Sequence, residues 1–164
     1  MRPPEWTIEQ TMPAGGLAIV LDGVQDPGNA GAIVRAAEAF AASGTVFLKG
    51  TASPFNPKTL RASAGSLFRL PFVHDVADSS FCNMLEQNGM RLYAAMPDGK
   101  TMLPGTDLRA ACAILIGSEG RGVRLEWSAR AAGIRIPIQT VESLNAAVAA
   151  AVVLYEAWRQ RTLP

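Results

Sequence analysis

A glutamate set among glycines is the first sign of chemistry in this sequence. Residues 115–123, LIGSEGRGV, place Gly117, Gly120 and Gly122 at the end of an apolar run, with Glu119 between them. Glycine tolerates positive φ angles and lets a ligand approach the backbone closely. The spacing fits neither the dinucleotide-binding nor the phosphate-binding glycine motif. A simple strand-to-helix turn remains an alternative, although such a turn does not require the carboxylate of Glu119.

A lone arginine in an otherwise apolar helix pattern is the second candidate. Residues 21–40, LDGVQDPGNAGAIVRAAEAF, run from the end of a predicted strand through the turn tripeptide DPG into a helix. Arg35 either pairs with Glu38 on a solvated face or points into a site at the end of that strand. Asn29 is well suited to cap the helix at its amino end.

The longest coherent pattern lies near the carboxyl end of the chain. Residues 134–158, IRIPIQTVESLNAAVAAAVVLYEAW, predict a strand followed by a helix over Ser143–Arg161. Ser143 is the expected N-cap, and Glu142 suits the positive end of the helix dipole. Because apolar side chains surround most of this helix, we expect it to be buried, either in the domain core or in a subunit interface.

Apolar runs alternate with helical patterns along the whole chain. This alternation predicts an α/β domain, in which a parallel sheet is covered by helices on both faces. The predicted strands are Leu17–Leu21, Thr45–Leu48, Leu70–Val73, Arg91–Ala95, Ala113–Ile116 and Ile134–Ile136. The predicted helices are Ala30–Ala42, Pro57–Ala64 with Gly65 as its C-cap, Asp78–Asn88, Arg124–Ala131 and Ser143–Arg161.

The loops that follow these strands are rich in glycine, proline and polar residues. In open parallel sheets, ligands bind beyond the carboxyl ends of the strands. The loops at that edge are Asp22–Gly31, Ala95–Lys100, Gly117–Gly122 and Pro137–Glu142. The sequence therefore predicts a ligand site at this edge of the sheet.

Composition limits the class of protein further. A length of 164 residues predicts one domain, placed at residues 17–164 after a linker or mobile lead-in at residues 1–16. The content of 49% hydrophobic and 18% charged residues predicts a compact globule. A net charge of +1 gives no nucleic-acid footprint. Two cysteines and one histidine without ligand spacing predict no metal site and fit a reducing cytoplasm. The longest apolar run is too short to span a membrane, so no membrane association is expected.

Four stretches of the chain, taken in order, resemble the signature motifs of the SpoU (TrmH-like) family. This family comprises RNA ribose 2′-O-methyltransferases of the SPOUT class. The stretches are DPGNAGAIVRAAEAF, NPKTLRASAGS, LIGSEGRGV and IPIQTVESLNAAVAAAVVLYE. Each stretch alone is weakly specific, whereas their ordered combination is specific.

The resemblance implies a fold and partners that periodicity does not show. It implies a SPOUT-type α/β knot, in which the carboxyl-terminal segment passes through a loop as a trefoil knot. It also implies S-adenosylmethionine (SAM) as the cofactor, bound in a bent shape, and a homodimer in which each site borrows residues from the partner. The implied substrate is RNA, with ribosomal RNA favoured over transfer RNA. A non-catalytic SAM- or RNA-binding module of the same fold is the first alternative, and a generic nucleotide-binding α/β protein is the second.

The resemblance also assigns site residues, position by position. Arg35 matches the arginine that acts on the ribose hydroxyl. The implied catalytic residues are Asn29, Arg35, Glu119, Ser143 and Asn145. The implied cofactor-binding residues are Leu115, Gly117, Ile136, Ile138 and Leu144.

Two features depart from the family pattern. Gln139 and Thr140 occupy the stretch in which many relatives carry a glycine after the Ile-Pro pair, so the shape of the cofactor loop is expected to differ in detail. The amino-terminal RNA-binding domain of larger members has no counterpart here. The chain is therefore expected to be either a compact member or an excised catalytic domain, with residues 1–16 as the remnant of a linker.

Overall fold

The computed structural model describes residues 4–163, which form one seven-stranded sheet flanked by helices. All neighbouring strands are parallel, in the order β3-β2-β1-β6-β4-β7-β5. The strands are β1 Leu17–Asp22, β2 Gly44–Leu48, β3 Phe72–Val76, β4 Arg91–Ala95, β5 Thr101–Met102, β6 Cys112–Gly117 and β7 Ala132–Arg135. The predicted parallel α/β architecture is confirmed, and the short strand β5 is an addition to it.

Helices cover both faces of this sheet. They are α1 Ile8–Thr11, α2 Pro27–Ala39, α3 Pro57–Ala62, α4 Asp78–Gln87, α5 Leu125–Ser128 and α6 Ala146–Thr162, with two short 3₁₀ turns at Ser66–Phe68 and Leu103–Gly105. Alternate residues of β1 show the two-sided burial, since Leu17 and Ile19 pack with α2 and α6 whereas Ala18 and Val20 pack with α4 and α5. Within residues 4–163, no helix is long and apolar enough to cross a membrane.

Two predicted helix caps are wrong because a neighbouring side chain has the better position. Asp26, not Asn29, caps α2, and its Oδ2 accepts a hydrogen bond from the backbone N–H of Asn29 at 2.8 Å. The following proline starts the helix with a φ angle that is already helical. Asn145, not Ser143, caps α6. Each helix therefore leaves a motif residue, Asn29 or Ser143, available for another role.

The structure also differs from the predicted end of α3 and rules out one of the two alternatives for Arg35. Helix α3 ends at Ala62 with Ser63 as its C-cap, and Gly65, at φ +87°, instead forms the turn into the next 3₁₀ segment. Glu38 does not pair with Arg35. Its carboxylate accepts hydrogen bonds from Nε and Nη2 of Arg69, at 2.6 and 2.8 Å, and these bonds hold the pKa of Glu38 below its usual range.

Part of the predicted lead-in packs against the sheet. Helix α1 begins with a capping box between Thr7 and Gln10, and Met12 just after it is fully buried beside α4. Residues 1–3 lie outside the described part of the chain. The domain boundary at residue 17 stays a prediction.

Gly31, a residue of the first motif, is required by the packing of two helices. A Cβ built on Gly31 would lie 2.6 Å from Cβ of Ala62 and 2.9 Å from the backbone N of Ser63, and closer still to the carbonyl oxygen of Thr59. Helices α2 and α3 can therefore approach this closely only because residue 31 has no side chain.

We predict that Gly31→Ala destabilises the domain. Overpacking against the backbone of α3 should lower the free energy of unfolding by about 2 kcal/mol. This loss exceeds the stabilisation of roughly 1 kcal/mol that alanine provides over glycine through its higher helix propensity. Urea denaturation measures the difference. Gly105→Ala is the matched control, since an added Cβ there meets no atom within 4 Å among the described residues. Equal stability of the two variants would contradict the packing account.

Candidate functional site

A cavity of about 520 Å³ opens beyond the carboxyl ends of β4, β6 and β7. It is bounded by the loops that follow these strands and by the first turns of α6. The lining residues are Ala95–Asp98, Ile116–Glu119, Arg121–Val123, Leu125, Ser128, Ile134, Ile136, Ile138, Ser143, Leu144, Ala146 and Ala149. The cavity lies at the edge of the sheet that the loop pattern predicted, and three of the four predicted loops contribute to its wall.

The glycine-rich loop after β6 is closed by its own backbone. Ser118 and Gly122 exchange two backbone hydrogen bonds, of 3.2 and 2.8 Å, and Gly122 has a φ angle of +67°. A Cβ on Gly117 would overlap the backbone of Gly122 and Val123. Glycine at position 117 is thus required by the tightness of the loop. This loop presents Glu119 and Arg121 to the cavity.

A chain of side-chain hydrogen bonds joins the three sequence motifs. Nδ2 of Asn29, in the first turn of α2, donates to Oε1 of Glu119. Nδ2 of Asn145 donates to Oδ1 of Asn29 at 3.2 Å. Oδ1 of Asn145 also caps α6 by accepting from the backbone N–H groups of Ala147 and Val148, at 2.9 and 3.2 Å. The first turns of two helices and the glycine loop are thereby held in one arrangement.

The structure brings most of the sequence-predicted residues together. The predicted residues that line the cavity are Gly117, Glu119, Ile136, Ile138, Ser143 and Leu144. Asn29 and Asn145 reach it through the hydrogen-bond chain.

Two predicted residues lie elsewhere. Leu115 is fully buried inside β6, in the cluster on the α4 and α5 side of the sheet. Arg35 is exposed on α2, outside the cavity wall, and forms no hydrogen bond or ion pair with any residue between 4 and 163. Among the described residues, Arg35 therefore has no partner that explains its position.

Beside Arg35, helices α2 and α6 form an apolar groove of about 480 Å³. Its lining residues are Ala32, Ala36, Phe40, Ala147, Val148, Ala151, Val152 and Tyr155. Three of the large side chains remain well exposed, with 49% for Val148, 37% for Val152 and 46% for Tyr155. Contiguous exposed apolar surface of this kind is typical of a protein–protein contact. The opposite side of α6, including Val153 and Leu154, is buried in the core.

Sequence reasoning missed several residues at this edge of the sheet. Arg121 and Ser128 line the cavity but carry no recognisable spacing. Asp22 and Arg124 form an ion pair of 2.6 Å across 102 residues of sequence. Nothing in the sequence signals such a pair, because the closeness of these residues follows from the pairing of β1 with β6. Within residues 4–163, no group of three or more His, Cys, Asp or Glu side chains is placed to hold a metal ion.

Comparison with known proteins is consistent with this geometry. Residues 16–155 match the family model of the SpoU rRNA methylase family. The 23S rRNA (guanosine-2′-O-)-methyltransferase RlmB of Coxiella burnetii is 34% identical over 150 residues, which cover 90% of this chain and 60% of that protein. This chain thus spans less than two thirds of the length of that relative.

Solved structures with the same fold include two that bear on function. The SpoU methyltransferase AviRb from Streptomyces viridochromogenes, in complex with AdoMet (SAM), superposes with a TM-score of 0.90 at 31% identity, over 96% of this chain and 66% of that chain. A second solved structure concerns the 2-OH methylation of C/U34 on tRNA. It superposes on this chain with a TM-score of 0.81 at 31% identity, over 88% of this chain and 95% of that chain.

We predict that Asn145 has two separable roles. Asn145→Ala removes the cap of α6 and should lower the free energy of unfolding by about 1 kcal/mol, whereas Asn145→Asp keeps an equivalent cap and should cost only a few tenths. The aspartate nevertheless lacks the amide donor to Asn29. Urea denaturation of both variants measures the difference. If Asn145→Asp is as unstable as Asn145→Ala, the separation of roles is wrong.

Proposed function

The chain belongs to the SpoU rRNA methylase family, and we propose that it transfers a methyl group from SAM to a ribose 2′-hydroxyl of RNA. The observation that carries this proposal is the hydrogen-bond chain Glu119–Asn29–Asn145 at the cavity. It gathers polar residues from all three motifs at the place where a ligand would bind.

The cavity suits SAM in size and in chemistry. Ligand sites commonly have volumes of roughly 300–1,000 Å³, and this cavity of about 520 Å³ falls in that range. Ile136, Ile138 and Leu144 offer apolar surface for the adenine ring, and Gly117 contributes to the cavity wall beside them. Charged side chains of Asp98 and Arg121 suit the ionised methionine end. When bound, SAM supplies an electrophilic methyl group for an attacking oxygen.

The protein's contribution to such a transfer is alignment and electrostatics. The ribose oxygen must lie in line with the methyl carbon and its sulfur. The oxygen–methyl bond would form as the sulfur–methyl bond breaks, and the hydroxyl proton would pass to solvent water. Arg35 is a poor general base because a guanidinium stays protonated. We assign it instead to stabilising the developing alkoxide and contacting the RNA phosphate. Ser143 and Glu119, which line the cavity, would orient the ribose with the help of Asn29 and Asn145.

The position of Arg35 supports a homodimer. Arg35 lies outside the cavity of its own chain and beside the exposed apolar groove between α2 and α6. Packing of this groove against a second copy would bury Val148, Val152 and Tyr155 and bring Arg35 of each chain toward the partner's cavity. One face of α6 is then buried in the domain core, and the opposite face forms the subunit interface. Both alternatives for this helix are therefore met, each on its own face.

We also propose a carboxyl-terminal trefoil knot and a cytoplasmic location for this chain. The free cysteines Cys82 and Cys112 favour the cytoplasmic location. Ribosomal RNA is the favoured substrate, because the Coxiella relative is named for 23S rRNA. Transfer RNA is the second candidate, since the tRNA-related structure has nearly the same length as this chain.

Calorimetry followed by a methyl-transfer assay tests the proposed function. SAM should bind, whereas ATP and NAD should not, because neither phosphate-binding glycine motif is present. Labelled methyl groups should then pass from SAM to ribose in ribosomal RNA more efficiently than in transfer RNA. Binding of ATP or NAD in place of SAM would refute the assignment, and SAM binding without transfer to any RNA would favour the non-catalytic module.

We predict that Arg35→Lys abolishes most of the methyl transfer while leaving the fold intact. Lysine keeps the charge but loses the planar guanidinium that binds two oxygens at once. Since Arg35 is exposed and unpaired among the described residues, stability should change by less than about 0.5 kcal/mol. Initial rates of labelled-methyl transfer measure the effect. Arg109→Lys is the control, because Arg109 forms an exposed ion pair with Asp107 and does not line the cavity among the residues described. Wild-type turnover in Arg35→Lys would contradict the role.

We also predict that Arg35 acts across the dimer. Homodimers of Arg35→Lys and of Glu119→Gln should each be inactive. A heterodimer purified with two different tags should regain transfer, because one of its two sites combines an intact Glu119 with an intact Arg35 from the partner. Methyl-transfer assays on the three purified dimers decide the question. An inactive heterodimer would show that both residues act within one chain.

A further inference from the structure

A buried carboxylate at the end of β1 has a single strong ionic partner. Asp22 is 1% exposed. Its Oδ1 accepts from Nε of Arg124 at 2.6 Å, and its Oδ2 accepts from the backbone N–H of Arg124 at 3.2 Å. A charge so far from water requires a partner that also satisfies its hydrogen bonds. Arg124 meets that requirement with both its side chain and its backbone.

The same arginine also binds a second element. Its Nη1 and Nη2 donate to the two carboxylate oxygens of Asp78, the first residue of α4, at 3.0 and 2.8 Å. These hydrogen bonds with Asp78, and then those with Asp22, raise the pKa of Arg124 above its usual value. Arg124 thus connects the end of β1 to the start of α4 with all three guanidinium nitrogens engaged.

Arg124 lies directly after the glycine loop in the chain, so its ion pairs also fix the end of that loop. Arg124 follows the glycine loop, and its sequence neighbours Val123 and Leu125 both line the cavity. The loop begins at Gly117, which lies opposite Asp22 in the parallel pairing of β1 and β6. Both ends of the loop are therefore attached to Asp22, one through the strand pairing and the other through the carboxylate.

We propose that Asp22, Arg124 and Asp78 form a clasp that holds the glycine loop in the shape that binds SAM. They are positioning residues, since none of them lines the cavity within the part of the chain described. The inference rests on the proposed function for its ligand. It extends that function by naming residues outside the three motifs on which SAM affinity depends. An open loop would have to be ordered by SAM, and the cost would appear as lost affinity.

The test compares the double variant Asp22→Asn/Arg124→Gln with the wild type. Removing both charges avoids leaving one buried and unpaired, so this variant keeps its fold better than either single variant. Two readouts are needed. Hydrogen exchange of the peptide containing residues 117–123 reports loop opening without SAM, and calorimetry gives the Kd for SAM. Arg109→Gln is the control, because it breaks an exposed ion pair with Asp107 in a loop that does not line the cavity among the residues described.

The clasp predicts faster exchange in the loop and a Kd for SAM raised by about tenfold, with the control unchanged. Unchanged exchange, or faster exchange with an unchanged Kd, would overturn it. Should the double variant not fold, Asp78→Asn removes only the exposed arm and must still give a smaller change in the same direction. A wild-type chain that binds no SAM would refute the proposed function, and the exchange readout would then decide on loop closure alone.

Discussion

The site depends on two asparagine side chains that bridge segments distant in sequence. Asn29 contacts Glu119 across 90 residues and Asn145 across 116 residues. An amide both donates and accepts, so one asparagine can bind a carboxylate on one side and another amide on the other. Asn145 in addition caps α6. The start of the longest helix, the first turn of α2 and the glycine loop are therefore fixed relative to one another by side-chain hydrogen bonds.

The parallel sheet makes this arrangement possible. In a parallel sheet the carboxyl ends of the strands lie at one edge, so the loops after β4, β6 and β7 meet around one cavity. Packing then adjusts the helices that enter this edge. Gly31 allows α2 to lie directly against α3, which sets the direction from which Asn29 reaches the glycine loop. The steric contact at Gly31 thus helps to position a polar site away from it.

The hydrophobic pattern of the sequence predicted the strands well and the ends of the helices poorly. Buried parallel strands are typically continuous apolar runs, and the predicted runs overlap six of the seven strands. The bounds of β3 and β7 differ from the predicted ones because these strands contain polar residues or glycine, and β5, with two residues, carries no pattern. Caps are ambiguous because Asp26 and Asn29, or Ser143 and Asn145, lie within one turn of each other and all are good capping residues. Only the backbone path decides between them.

The site was predictable only so far as it lies in loops and motifs. The loop rule located the cavity wall, and the resemblance named Glu119, Asn29 and Asn145. Neither could show that Leu115 is buried or that Glu38 binds Arg69, since both facts follow from tertiary packing. The ion pair of Asp22 with Arg124 is equally invisible in the sequence, because its partners meet only after the sheet has formed.

The central claim is that the cavity bounded by the hydrogen-bonded motifs is the cofactor site. Titration of the labelled chain with SAM, followed by amide NMR, tests it most directly. The account predicts chemical-shift changes in residues 95–98, 117–123 and 136–144. Shift changes confined to the groove between α2 and α6, or none at saturating SAM, would contradict it.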